Sequence, residues 1–178
     1  KNARRIVARL VDAGASLIEQ PVDGLAAMAE VTASAAVPII ADESCWDAND
    51  ALELVQARGA DRISIYLAKA GGFGGARAVA EIAAARSVAC DVNGSLESAI
   101  GNAANLHFAL ANVAVSMASV IPISAPAGQH PYAIAGRYYE DDVVTAPFPV
   151  RDGALLPLDR PGLGIDVDEA RLARYRSA

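Results

Sequence analysis

Short apolar blocks alternate along the chain with longer stretches in which apolar residues return every three or four positions. "NARRIVARLVDAG" sets Ile6, Val7, Leu10 and Val11 on one helical stripe that Gly14 stops. "ASLIEQ" then reads as a short strand, "LAAMAEVTASA" as a helix and "VPIIAD" as a second strand, β-branched and too short for a helix. Asp47 is placed to cap a helix "ANDALELVQARG", with Ala51, Leu52 and Val55 as its buried side and Gly59 as its end. "DRISIYL" is the third strand, and the glycine-rich "AKAGGFGGA" leads into a helix "ARAVAEIAAARS". "VACDV" gives a fourth strand, "LESAIGNAANLHFALAN" a helix and "VAVSMASVIP" a fifth strand.

Strand and helix repeat at a spacing of about twenty to twenty-five residues, which calls for parallel strands with helical crossovers. The strands are apolar throughout, as burial on both faces requires. After Pro122 the rhythm breaks into a proline-rich tail, in which "VRDG" reads as a hairpin turn and "DVDEARLARY" as a short helix. Five strands are too few to close an ordinary eight-stranded barrel, which takes about 250 residues. The fold class is therefore α/β, either an open sheet or part of a longer barrel.

Composition narrows the class. The 178 residues are 53% hydrophobic and 20% charged, enough for one globular core. A formal charge of −6, with no basic cluster, disfavours a nucleic-acid partner. Cys45 and Cys90 are the only cysteines and suit neither a zinc pattern nor a disulfide framework. They read as buried free thiols, which points to a cytoplasmic protein. No uncharged apolar stretch reaches membrane-spanning length.

The chemistry concentrates where strands end. "LIEQPVDG" finishes its apolar run on Glu19, and "VPIIADES" finishes on Asp42 and Glu43. In parallel α/β proteins, reactive groups sit at the carboxyl ends of strands. Strand-end acids also cap helices or pair with arginines, but two on neighbouring strands would repel unless a cation lies between them. Mg²⁺, a hard ion satisfied by one or two carboxylates plus water and substrate oxygens, suits such a pair. "GGFGG" matches neither phosphate-loop nor dinucleotide spacing, so its glycines are assigned to a tight strand-to-helix turn.

"IEQP", then "ADES", then "AKAGG" after a strand, then "GSLESAIGNAANLH" and the tail "DDVVTAPFPVRDGALLPLDRPGLGIDVDE" occur in an order and spacing that resemble the barrel domain of the enolase superfamily. The likeness is to the branch of mandelate racemase and muconate lactonizing enzyme, and it runs over nearly the whole chain. It implies that the chain corresponds to roughly the fourth to eighth strands of a (β/α)7β barrel (residues 1–125), with a tail (126–178) that packs on a capping domain. It implies a lyase or isomerase that removes the proton next to a carboxylate and stabilises the enediolate on Mg²⁺. Glu19 and Asp42 then match the second and third metal ligands, with Glu43 beside them. The first ligand, a lysine pair and the capping domain would precede residue 1.

Several positions depart from that pattern. Where the lactonizing branch carries a lysine five residues before the paired glycines, this chain has Tyr66. A phenol with an ordinary pKa of about 10 is a poor base at neutral pH, though it can donate a hydrogen bond or a proton. Lys69 lies close enough in sequence to reach the site from the loop. Asn93 stands where the racemase branch places a histidine, and Asp91 shares its strand parity, either as an ion-pair partner or as a substrate contact. His107 falls within a helix and is assigned to packing. The fifth strand offers no acid. A two-base mechanism thus lacks its second base, and dehydration is favoured over racemisation or epimerisation. The competing reading is a catalytically impaired barrel kept for assembly. Exposed barrel edges predict stability only with the missing half or in a homo-oligomer, and the expected ligand is a small carboxylate.

Overall fold

A computed structural model of the chain describes residues 1–95, 97–122 and 142–176. The sequence folds into the predicted alternation: α1 (Asn2–Asp12), β1 (Ile18–Glu19), α2 (Leu25–Thr32), β2 (Ile39–Ala41), α3 (Ala48–Ala57), β3 (Arg62–Ile65), α4 (Phe73–Ala85), β4 (Ala89–Val92) and α5 (Ala99–Ala111). Within the tail lie a hairpin of β5 (Val150–Arg151) and β6 (Ala154–Leu155) and the helix α6 (Glu169–Arg174). The first four strands form one sheet in chain order, with β1–β2 and β2–β3 parallel. Met28, Ile39, Ile40, Leu54, Ile63 and Ile65 are fully buried around it. Among the described residues, no helix is long and apolar enough to cross a membrane.

The chain divides into two compact units, Lys1–Asp91 with Asn112–Ala118, and Val92–Ala111 with Ser119–Ala178. The division read from the sequence falls between residues 125 and 126, which lie outside the described residues. In the second unit, Ala99, Ala103 and Leu106 of α5 pack on Val144 and Phe148 of the tail. There the Asp142 carboxylate accepts a hydrogen bond from the Ala99 amide at 3.0 Å, satisfying a donor at the start of α5 that has no partner within the helix. The His107 ring lies 3.1 Å from the Leu163 carbonyl, the packing role assigned to it. "VRDG" is the hairpin turn, with Asp152 and Gly153 both at positive φ, as a two-residue loop of this kind needs.

Three expectations need correction. The stripe of α1 is only partly used: Val7 is buried, while Ile6 and Leu10 are 52% and 44% exposed. In α3 the buried side is Ala51 and Leu54, and Leu52 is 42% exposed, because the three-residue step selects a face rotated from the one assumed. Its cap holds, since Asp47 accepts from the Asn49 and Asp50 amides and Asp50 answers in a capping box. The fifth strand is reduced to two parallel bridges, Cys90 with Val115 in the first unit and Asn93 with Val120 in the second. A side chain interrupts the ladder: the Val92 amide donates to Ser119 Oγ at 3.0 Å instead of to a carbonyl.

The turn from β3 to α4 explains "GGFGG". Gly71 and Gly72 take φ of 75° and 101°, which favours glycine, and the Gly72 amide closes the turn on the Leu67 carbonyl at 2.7 Å. At Gly75 a Cβ would stand 1.9 Å from the Ala70 carbonyl oxygen, so α4 starts this close to the turn only because no side chain intervenes. Gly75→Ala should cost about 1–3 kcal/mol, read as a lower midpoint in urea unfolding. Cys45 and Cys90 are buried and free, and burial pushes both thiols up to about 12. Neither should react with a thiol reagent in the native protein, and both should react once it is unfolded.

Candidate active site

Four strands stacked in chain order bring successive carboxyl ends to one edge of the sheet. Glu19 is the last residue of β1, and Asp42 and Glu43 follow directly on β2. The register aligns Glu19 with Ile40, so the two acidic ends lie side by side. The Glu19 and Asp42 carboxyl groups are within hydrogen-bonding reach of each other. Burial, then the charges of Asp42, Asp91 and Glu43, raise the Glu19 carboxyl above its ordinary value of 4.5. Glu19 and Glu43 are both exposed, whereas Asp91 on β4 is buried.

Lys69 answers this concentration of negative charge. Its ammonium donates to Asp42 Oδ1 at 2.7 Å, to the Asp42 carbonyl at 2.6 Å and to the Ser64 carbonyl at 3.3 Å. Its three donors therefore have three acceptors. The pair is largely shielded, with side chains 10% and 15% exposed. Tyr66 follows the end of β3, and Lys69 Nζ sits 5.0 Å from the centre of its ring, a cation–π distance. The sequence thus named the residues that the first unit gathers: Glu19, Asp42, Glu43, Tyr66, Lys69 and Asp91.

Asn93 belongs to the second unit, where its side-chain carbonyl accepts from the Val120 amide at 3.1 Å and the residue is buried. That bond gives it a structural task in joining β4 to the segment at Val120.

Sequence reasoning missed Gln20, although it quoted the residue within "IEQP". Gln20 Oε1 accepts from the Asp42 amide at 2.8 Å and the Ser44 amide at 3.2 Å. Its Nε2 donates to the Val22 carbonyl and to Ser44 Oγ, both at 2.7 Å. The backbone at Gln20 is at φ 38°, a left-handed value uncommon without glycine, and these bonds hold it there. The signal was available: a polar residue capable of both donating and accepting, set between a strand-end acid and a proline.

Known proteins resemble this chain along most of its length. The family described as enolase C-terminal domain-like matches residues 1–171. Muconate cycloisomerase 1 of Rhodococcus opacus is 33% identical over 168 residues, covering 93% of this chain and 42% of that protein. The L-Ala-D/L-Glu epimerase of Bacillus subtilis (strain 168) is 42% identical over 113 residues, covering 61% of this chain and 31% of that enzyme. The crystal structure of 2-chloromuconate cycloisomerase from Rhodococcus opacus 1CP superposes with a TM-score of 0.85 at 29% identity, over 99% of this chain and 45% of that one.

A parallel α/β sheet with acids at its strand ends, matched along nearly its whole length, defines the class: the chain belongs to the enolase superfamily, in the branch of mandelate racemase and muconate lactonizing enzyme. Its fold corresponds to the C-terminal barrel portion of that family. The chain spans less than half the length of the curated relatives it matches.

The raised Glu19 carboxyl has a definite sign in stability. The folded chain holds this proton more tightly than the unfolded one, so the contribution is intact below 4.5 and is lost as pH rises through the raised value. Glu19→Gln removes that loss. With metal chelated, wild type should lose more thermal stability than Glu19→Gln as pH climbs upward from 4.5. Parallel melting curves across that window would mean that the Glu19 carboxyl is not raised in the folded chain.

Proposed function

We propose that this chain supplies the metal-holding carboxylates of an isomerase or lyase that removes the proton next to a carboxylate group of a small substrate. The observation that carries this reading is the convergence of Glu19 and Asp42 from adjacent strand ends, where the charge of Asp42 bears directly on Glu19. Carboxylates so placed repel one another when both are ionised, and a cation between them relieves the repulsion.

The donor chemistry fits Mg²⁺. Among the described residues, no three acidic, histidine or cysteine side chains form a metal-holding group. Two hard oxygen donors leave room in an octahedral shell for water and substrate, as Mg²⁺ prefers. Glu19 and Asp42 would hold the ion, with the exposed Glu43 adding negative charge beside them. When bound, the ion would stabilise negative charge developing on the substrate carboxylate during proton removal.

The remaining roles follow from position. Tyr66 is assigned as hydrogen-bond donor or acid toward the substrate, since an ordinary phenol is a poor base at neutral pH. Lys69 reaches the same ground from the loop after β3, with its ammonium on Asp42. Asp91 on β4 and Asn93 just after it are assigned to substrate contact from the positions they match in the family pattern. The proton-abstracting base is proposed to come from outside residues 1–178, together with the capping domain, in a cytoplasmic homo-oligomer. The division into a barrel portion at 1–125 and a tail at 126–178 is retained as part of this proposal.

The relatives named above are cycloisomerases and epimerases, which favours an isomerisation over the dehydration that the missing second base suggested. Calorimetric titration of Mg²⁺ into the longest natural form tests the reading, with Asp42→Asn and Glu19→Gln beside wild type. Each substitution should weaken binding at least about tenfold, the effect of losing one charged ligand. Equal binding by all three, or none by wild type, would assign these acids to structure and favour the impaired-barrel reading.

A further inference from the structure

Lys69 is engaged more completely than a substrate-facing lysine needs to be. Two of its three acceptors are main-chain carbonyls, those of Asp42 after β2 and Ser64 within β3. The Ser64 carbonyl belongs to β3 and the Asp42 carbonyl also accepts from the Cys45 amide, so the backbone helps fix the ammonium beside the carboxylate it neutralises. The third acceptor, Asp42 Oδ1, is one of the two groups proposed above to hold a cation. Around it stand Glu19, Glu43 and the buried Asp91, whose charges all bear on the same corner. The Tyr66 ring lies against the ammonium, 5.0 Å from its centre, a cation–π contact that helps hold it.

A fixed positive charge has two consequences in such a place. It makes the carboxylate cluster tolerable when no metal is bound, because a shielded carboxylate left without a partner is costly. It also repels a second cation at short range, where screening by salt is weak. We infer that Lys69 is a built-in counter-ion of the carboxylate corner: it stabilises the metal-free protein and lowers its affinity for the divalent cation. This inference rests on the metal reading given under the proposed function only in its second half. Lys69 is on this account a positioning residue, and its ammonium does not serve as the base.

The test compares wild type, Lys69→Met, Asp42→Asn and the double variant in the longest natural form of the protein. Thermal melts in excess chelator read the first half, and calorimetric Mg²⁺ titration of wild type and Lys69→Met reads the second. In chelator, Lys69→Met should melt several degrees lower than wild type. In the Asp42→Asn background the same change should cost much less, because the charge to be neutralised has gone. Lys69→Met should also bind Mg²⁺ more tightly, on the order of tenfold.

Equal melting of Lys69→Met and wild type in chelator would overturn the counter-ion role whatever the metal does. Weaker Mg²⁺ binding by Lys69→Met would overturn the competition and make Lys69 an aid to metal binding. If Lys69→Met fails to fold, recovery of folding by the double variant supports the counter-ion role, and failure of both overturns it. A wild type that binds no Mg²⁺, with the chelator melts as expected, would refute the metal reading and leave the counter-ion role standing.

Discussion

Like charges forced together are the condition around which the first unit is built. Parallel strands in chain order deliver each strand's carboxyl end to the same edge, and three consecutive ends here carry Glu19, Asp42 and, after β3, the Tyr66 to Lys69 segment. No rearrangement of one strand can separate the acids without breaking the register that buries Ile18, Ile39 and Ile40. Repulsion must therefore be met by chemistry in place. Lys69 meets it through charge, and what repulsion is left shows, after burial, in a Glu19 carboxyl raised above its ordinary value.

Backbone geometry makes that corner possible. The α3 capping box and the four bonds of the Gln20 side chain fix the loop that follows Asp42. On the other side, Gly71, Gly72 and Gly75 let α4 begin directly over the turn from which Lys69 reaches back. The lysine is held by one carbonyl within β3 and one directly after β2.

Much of this was legible in the chain. The alternation of strands and helices follows from apolar periodicity, and the strand-end acids could be found because a carboxylate at the close of an apolar run is costly without a reason. What could not be read depended on tertiary choice. Leu52 and Leu54 both suit a helix core, and only the neighbours of α3 decide that Leu54 is buried. The fifth strand has the right composition, yet Ser119 replaces a ladder acceptor with its own hydroxyl, a substitution no hydropathy pattern registers. The partners of Lys69 were equally hidden, since two of them are main-chain carbonyls.

Gln20 separates two properties that usually travel together. It needs a carbonyl oxygen for two amides and an amino group for a carbonyl and a hydroxyl, all at the reach of a three-carbon arm. Among the natural side chains only glutamine offers that combination at that length. Its neighbour Glu19 is under no such demand from the scaffold. Loss of the acid would therefore leave the loop intact, whereas loss of the amide would dismantle the loop around intact acids. Position 19 can therefore vary without disturbing the scaffold, whereas position 20 cannot.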